Sequence, residues 1–147
     1  MTLAQAYRKQ FGKVSFPFRI YDANGNRTYI ELSDRYWEKC VYDANGNETY
    51  VEDSDRYWEK YEYDADGNET YFEDRNGHWR KREYDANGNE TYYEDSDGFW
   101  RKREYKSNGN ETYYEDSIGI ARGSKQNQSC EGKIVEVDGK KYELKEL

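Results

Sequence analysis

Carboxylate and amide oxygens, the ligands that calcium prefers, recur in this sequence at two kinds of site. These sites read DANGNE, as at residues 85–90, and EDSDG, as at residues 94–98. An EF-hand loop needs acidic or amide side chains at positions 1, 3 and 5 and glycine at 6. Asp85 and Asn87 fit, but Gly88 comes two residues early. Since a tight turn fully explains Asn87-Gly88, we predict no metal site, with weak calcium binding by the EDSD clusters as the alternative.

The sequence offers little for catalysis. Its single histidine, His78, occupies a repeat position that holds Tyr36, Tyr57 and Phe99 elsewhere, which favours a variable aromatic surface position over a general base. No Ser-His-Asp or Cys-His arrangement and no phosphate-binding glycine loop stands out from the background. We therefore predict a protein that is not an enzyme and that carries no cofactor.

These residues belong to a repeat with a period of 21, which is typical of stacked repeat architectures. One unit, residues 84–104, reads YDANGNETYYEDSDGFWRKRE. Two aromatic series recur once per unit, and together we call them the aromatic row: Trp37, Trp58, Trp79 and Trp100, with Tyr29, Tyr50, Tyr71, Tyr92 and Tyr113.

Each unit is predicted to be a β-hairpin. WRKREYD and ETYYED have strand composition, while Asn-Gly and Asp-Gly supply the positive φ angles of tight turns. Centring the first turn on Asn87-Gly88 predicts four opposed pairs: Tyr84 with Thr91, Glu83 with Tyr92, Arg82 with Tyr93, and Lys81 with Glu94.

Neither face of such a sheet would be cleanly apolar, because aromatic and charged residues alternate on both. Hydrophobic residues form 34% of the chain and charged residues 37%, so a single extended sheet is favoured over a sandwich, which needs an alternating aliphatic face. The 18% of aromatic residues argues equally against disorder. We predict an all-β fold: one extended, twisted or coiled antiparallel meander of about twelve strands, held together by cross-strand pairs.

The N-terminal residues 1–20 are predicted to cap the array. Thr2 and Gln5 form a candidate capping box for a short helix that ends at Gly12. The stretch from residue 14 to residue 20 alternates like a strand, and Pro17 marks it as an edge strand. The helix is expected to cover the apolar side of that strand.

The remaining boundaries follow from the repeat. Five repeats occupy residues 21–117, a linker occupies residues 118–132, and a C-terminal hairpin occupies residues 133–147. This last hairpin is predicted to turn at Asp138-Gly139, with Glu136 opposite Lys141 and Val135 opposite Tyr142.

The charge of −8 is unevenly distributed. Residues 1–20 carry four basic and no acidic side chains, whereas residues 21–120 carry 13 basic and 26 acidic ones, which argues against direct binding to nucleic acid. Two acidic series recur once per unit, and we call them the acidic track: Glu48, Glu69, Glu90 and Glu111, with Asp53, Asp74, Asp95 and Asp116. They are expected to pair with Lys60, Lys81 and Lys102, and they could also attract a basic protein partner.

The cellular context is predicted from what the chain lacks. Two cysteines, Cys40 and Cys130, are too few and too distant for a disulfide framework or a zinc site. No apolar run resembles a signal peptide or a membrane span. The expectation is a cytoplasmic protein without membrane contact.

With the motif laid out, residues 21–117 resemble the tyrosine-aspartate (YD) repeats of Rhs proteins, polymorphic toxins and teneurins. The shared letters are YD, NGN and the following DSDG. The resemblance implies consecutive hairpins in one spiralling sheet, which larger members wrap around a cargo. Here charged residues (Arg27, Glu48, Glu69, Glu90 and Glu111) replace the apolar residue that usually follows NGN, and five repeats are too few for a shell.

Three functions are compatible with these features. We favour a non-catalytic platform for protein binding or scaffolding, for example a phage or mobile-element inhibitor that uses its acidic face. Glycan or cell-wall binding through the aromatic row is the first alternative. Self-assembly into a sheet or filament is the second, although Pro17 and the helix oppose pairing at one edge.

Overall fold

The fold is a single open meander sheet, as the computed structural model of the chain shows. The structure describes residues 1–125, 134–137 and 140–143. One helix, α1 (Leu3–Phe11), precedes eleven strands that pair antiparallel in sequence order. Those strands are β1 (Phe18–Tyr21), β2 (Arg27–Glu31), β3 (Trp37–Tyr42), β4 (Glu48–Asp53), β5 (Trp58–Tyr63), β6 (Glu69–Asp74), β7 (Trp79–Tyr84), β8 (Glu90–Asp95), β9 (Trp100–Tyr105), β10 (Glu111–Asp116) and β11 (Ala121–Gly123). The predicted all-β meander is confirmed, with eleven strands in the sheet instead of about twelve.

The turn inside each unit differs from the predicted two-residue Asn-Gly turn. Gly88 N–H donates to the Asp85 carbonyl at 3.0 Å, and Asp85 N–H donates to the Asn89 carbonyl at 2.9 Å. Gly88 has φ of 80°, whereas Asn87 is not among the residues with positive φ. The turn is therefore centred on Ala86-Asn87, with Gly88 in the left-handed position that follows a type I turn.

The Asp and Asn that recur in the first four of these turns are explained by the carboxylate of Asp85. Its Oδ1 accepts hydrogen bonds from Asn87 N–H at 2.9 Å and Asn89 N–H at 3.0 Å, and its Oδ2 accepts from Asn89 Nδ2 at 2.9 Å. The Asn89 side chain is the main cause that lowers the pKa of Asp85. The carboxylate thus satisfies amide donors that the turn leaves without a carbonyl partner.

A β-bulge next to this turn corrects the predicted register. Glu83 lies opposite Tyr92, Arg82 opposite Tyr93 and Lys81 opposite Glu94, as predicted, but Tyr84 lies opposite Glu90. Thr91 is the extra residue, and the equivalent threonine is extra in every unit. Because side chains alternate between faces, the bulge moves Glu90 onto the face opposite to Tyr92 and Glu94.

The second turn of each unit repeats the same geometry with looser sequence requirements. Gly98 N–H donates to the Asp95 carbonyl at 3.0 Å, and Gly98 has φ of 81°. In the first two units the equivalent residues are Arg35 and Arg56, with φ of 77° and 68°. These arginines occupy a left-handed conformation that favours glycine.

Helix α1 begins with the predicted capping box, in which Thr2 and Gln5 each bond the other's backbone N–H. Gly12 ends the helix with φ of 95°. The Tyr7 ring contacts the Phe18 ring, with 5.4 Å between centroids, so α1 does cover the first strand. That strand begins at Phe18, however, so Phe16 and Pro17 precede it and the predicted strand from residue 14 is too long.

A buried carboxylate anchors the helix to the sheet. Glu31 is 2% exposed and accepts hydrogen bonds from Thr2 Oγ1 at 2.7 Å, Ala4 N–H at 3.1 Å and Tyr29 Oη at 2.9 Å. The equivalent Glu52 lies opposite Lys39 and pairs with its ammonium at 3.0 Å. Phe18, and not a lysine, lies opposite Glu31. The positive end of the helix dipole therefore supplies the positive charge that Lys39 supplies to Glu52.

The C-terminal part of the sheet corrects the predicted linker. Residues 121–123 form β11, paired with β10. A Cβ at Gly123 would lie 2.0 Å from the Thr112 carbonyl oxygen, so only glycine fits there. Residues 126–132 of the predicted linker lie outside the described residues.

A separate hairpin follows, formed by β12 (Ile134–Val137) and β13 (Lys140–Glu143). Glu136 lies opposite Lys141 and Val135 opposite Tyr142, which confirms the predicted register. The predicted turn at Asp138-Gly139 lies outside the described residues.

Replacing Glu31 with alanine should cost about 2–4 kcal/mol of unfolding free energy, because three donors lose a buried charged acceptor. The matched change Glu52→Ala removes a half-exposed ion pair and should cost about 1 kcal/mol or less. Urea unfolding of both variants measures the difference. Equal losses would show that the helix does not depend on Glu31.

Candidate binding surfaces

One face of the sheet carries the aromatic row, and we call it the tryptophan face. Trp58 lies opposite Glu52, and its ring stacks on Tyr50 with 6.5 Å between centroids and 24° between planes. Glu52 accepts from Tyr50 Oη at 3.2 Å and pairs with Lys39 Nζ at 3.0 Å. Tryptophan, tyrosine, glutamate and lysine thus form one interlocked group that joins three strands.

The same group recurs along the tryptophan face. A tyrosine hydroxyl donates to the glutamate two residues later in all five units: Tyr29 to Glu31, Tyr50 to Glu52, Tyr71 to Glu73, Tyr92 to Glu94 and Tyr113 to Glu115. Lys81 lies over the Trp79 ring at 5.2 Å and Lys102 over the Trp100 ring at 5.4 Å. The predicted aromatic row therefore lies on one face with its rings already in contact with neighbours, which agrees with a structural role. A binding role for it stays a prediction.

The opposite face holds the glutamates of the acidic track, and we call it the arginine face. Glu69 accepts two bonds from Arg80, at 2.7 and 3.0 Å, and one from Arg82 at 2.6 Å. Glu90 pairs with Arg101 at 2.6 Å, and Glu111 with Arg122 at 3.3 Å. The expected pairing of these glutamates with Lys60, Lys81 and Lys102 is wrong, because the bulge puts the glutamates on the other face.

The arginines of this face also stack on aromatic rings of the strand beside them. The Arg80 guanidinium lies 4.0 Å from the Phe72 ring centre, Arg101 lies 4.5 Å from Tyr93, and Arg122 lies 4.4 Å from Tyr114. Each such arginine joins two neighbouring strands by an ion pair and a cation–π contact. These contacts partly neutralise the acidic track in the last three units.

The acidic and the basic residue of these pairs exchange positions between the first unit and the last three units. The second unit lies where they exchange. Eleven residues separate Glu69 from Arg80, and the same spacing relates Arg27 to Glu38, which pair at 2.6 Å with opposite polarity. In the second unit both positions are acidic, Glu48 and Glu59, and we call this pair the acidic seam. Within the described part of the chain, no salt bridge reaches either carboxylate.

The acidic seam is held by neutral donors. The hydroxyls of Tyr57 and Tyr61 donate to Glu59. The hydrogen bond to Glu59 is the main cause that raises the pKa of Tyr57 to about 12. Beside Glu48, burial and the neighbouring carboxylate raise the pKa of the Cys40 thiol to about 11, so this thiol stays protonated at neutral pH.

The aspartates of the acidic track are turn residues. Asp74 Oδ1 accepts from Asn76 N–H at 2.8 Å and His78 N–H at 3.0 Å. Asp53, Asp95 and Asp116 accept backbone N–H groups in the same way. His78 Nδ1 lies 3.0 Å from Asp74 Oδ2, and this hydrogen bond raises the pKa of the exposed imidazole. Among the described residues, no group of three His, Cys, Asp or Glu side chains could hold a metal ion.

Sequence reasoning missed the arginine pairs and the acidic seam. The signal was the spacing of eleven residues between opposite charges, with Glu-Arg in three units and Arg-Glu in the first. Strict two-residue alternation would put Glu69 and Arg80 on opposite faces of the sheet. The spacing therefore predicts an ion pair only when the bulge is known.

With the geometry established, comparison with known proteins identifies the fold. No protein-family model and no curated protein matches the chain. A Photorhabdus luminescens Tc holotoxin pore with mutated TccC3 matches at 15% identity and a TM-score of 0.51, over 70% of this chain and 7% of that one. The crystal structure of TcdB2-TccC3-TEV matches at 15% identity and a TM-score of 0.50, over 67% of this chain and 7% of that one.

The chain is thus a tandem β-hairpin repeat protein with the fold of a short stretch of these toxin components. The match supports the YD-type arrangement at the level of hairpins in one sheet. The described residues contain no helix that is long and apolar enough to cross a membrane.

Glu59→Arg should recreate at the acidic seam the pair that Glu69 and Arg80 form one unit later. We expect a gain of about 0.5–1 kcal/mol in unfolding free energy. The reverse change, Arg80→Glu, creates a second acidic seam and should destabilise by about 1–2 kcal/mol. Guanidinium unfolding compares the two, and destabilisation by both variants would show that charge order does not govern the coupling of neighbouring strands.

Stability should fall as the pH rises from 10 to 12. Burial is the main cause that raises the pKa of Tyr29 and Tyr42 to about 12, whereas unfolded tyrosine titrates near 10. The unfolded chain therefore loses these protons first, so the contribution is complete below pH 10 and disappears towards pH 12. Melting temperatures across this range test it. Tyr29→Phe, which removes one such group, should show a shallower fall, and an unchanged slope would contradict the assignment to Tyr29.

Proposed function

We propose that the chain is a non-catalytic repeat protein whose sheet is a platform for protein binding, and that a basic partner contacts its second unit. This unit, residues 42–62, carries seven acidic and two basic side chains, a net charge of −5. The acidic seam is the observation that carries the proposal. In the last three units arginines pair with the corresponding glutamates, whereas among the described residues no salt bridge reaches the two carboxylates of the acidic seam.

The surroundings of the acidic seam support a protein partner. Tyr57, whose hydroxyl donates to Glu59, is 44% exposed, so a large aromatic side chain lies beside the uncompensated carboxylates. Tyrosine beside charge is typical of interface residues. A partner that supplies an arginine would complete the pattern that Arg80 completes for Glu69. A phage or mobile-element protein that blocks a basic nucleic-acid channel in the cytoplasm is one form that this proposal takes.

The double variant Glu48→Lys/Glu59→Lys should lose the partner in affinity capture from the native host. The control Asp66→Lys/Asp97→Lys changes net charge equally, but alters exposed turn residues of other units and should retain it. Raising salt from about 0.05 to 0.3 M should weaken capture, because the interaction is screened. If the seam variant is folded and still captures the same protein, the acidic seam is not the binding site and the aromatic row becomes the leading candidate.

A further inference from the structure

The first 21 residues expose a concentration of large apolar side chains. Seven of these residues are exposed: Met1, Leu3, Tyr7, Phe11, Phe16, Ile20 and Tyr21. The rings of Tyr7 and Phe11 lie 4.8 Å apart, so these two exposed side chains are in contact. Contiguous apolar surface of this kind marks an interaction site more often than isolated exposed residues do.

This surface contains a groove between the helix and the edge of the sheet. The groove has a volume of about 720 Å³. Tyr7, Val14, Phe18, Ile20 and Tyr21 provide apolar walls, and Lys13 and Arg19 stand among them. Its length follows β1, which is the terminal strand of the sheet.

The rim of the groove is positively charged without compensation. Residues 1–20 contain Arg8, Lys9, Lys13 and Arg19 and no acidic side chain. All four basic residues are exposed, and among the described residues no salt bridge uses any of them. Four cations beside an apolar groove fit an apolar ligand that carries negative charge.

The backbone of β1 offers further contacts. Asp22 N–H donates to the Asn26 carbonyl, towards β2. Because backbone groups alternate in direction along a strand, Phe18 and Ile20 also face β2, while Arg19 and Tyr21 present N–H and C=O outward. Pro17 lacks an N–H, but it precedes the strand, so it does not prevent Arg19 and Tyr21 from pairing with another strand.

We propose that this groove binds an extended, acidic and aromatic segment of a partner protein, which pairs with the outer edge of β1. The repeats themselves contain strand pairs of this kind, because β5, β7 and β9 each lie beside strands of the type Glu-Thr-Tyr-x-Glu-Asp. β1 occupies the equivalent place in its unit, but in the described part of the chain no such strand lies on its outer side. The site is independent of the acidic seam and is opposite to it in charge.

Charge argues against the other occupants. Two copies that met through this end would bring eight cations together. A copy that used the opposite end of its sheet would present Arg122 of β11 and Lys125, two residues beyond that strand. A lipid surface negative enough to attract residues 1–20 would repel residues 21–120, with their 26 acidic side chains. A short acidic peptide contacts only the basic groove, so neither kind of repulsion opposes its binding.

A labelled peptide with the sequence of residues 89–96, NETYYEDS, tests the proposal on the full chain by fluorescence anisotropy in about 0.05 M salt. We expect saturable binding that weakens about fivefold or more in Arg19→Glu and stays within about twofold in Lys106→Glu, which makes the same charge change at a distant exposed turn. Ile20→Ser should also weaken binding, because it removes an apolar wall. A peptide with its three acidic residues changed to lysine should not bind.

Several results would overturn the proposal. Absence of saturable binding would do so, and equal weakening by Arg19→Glu and Lys106→Glu would reduce the effect to general charge. Sedimentation of the chain alone should show a monomer. A dimer that Arg19→Glu dissociates would assign the groove to a second copy instead of a partner. Thermal melts of each variant establish that it is folded.

Discussion

The sheet depends on the geometry of a turn and of the bulge beside it, and the carboxylate of Asp85 stabilises that turn by binding its amide hydrogens. By accepting bonds from Asn87 and Asn89 it holds a type I turn, after which Gly88 adopts its left-handed conformation. Next to this turn the second strand carries a bulge at Thr91. The bulge decides which face receives Glu90, and with it the partners of every arginine on that face.

Polar and aromatic contacts replace a hydrophobic core in this chain. Among the residues whose side chains the structure describes, full burial is confined to Ala4, Tyr29, Glu31, Cys40 and Asp116. Each interface between units instead combines half-buried rings with ion pairs and tyrosine–carboxylate bonds, worth individually about 0.2–1 kcal/mol. Such an array depends on charge order as well as on shape. The acidic seam is the place where that order fails, and for this reason we propose it as the binding site.

The two ends of the tryptophan face are closed by substitutes for the repeating lysine. At the first end the N-terminus of α1 reaches Glu31, where Lys39 would reach Glu52 in the next unit. At the last end Lys125 pairs with Glu115 at 3.1 Å and lies 5.0 Å from the Tyr113 ring centre. Both substitutes supply positive charge to a tyrosine–glutamate pair. The outer side of β1 has no such closure among the described residues, which is why the groove beside it is a candidate for a partner.

The sequence by itself determined the period, the hairpins, the helix with its capping box and the sharing of one face by tryptophan and tyrosine. These follow from local chemistry: turn residues, capping residues and two-residue alternation all act within a few positions of the chain. It did not determine the partners of Glu48, Glu69, Glu90 and Glu111, since the one-residue bulge after each of them puts these glutamates on the face opposite to the one that strict alternation predicts. Only the tertiary structure showed that Glu69 binds Arg80 and Arg82, that Glu48 and Glu59 lack such a cation, and that Glu31 holds a helix in place of a lysine. Those contacts join residues 11 to 29 positions apart, and their geometry exists only once the strands lie side by side.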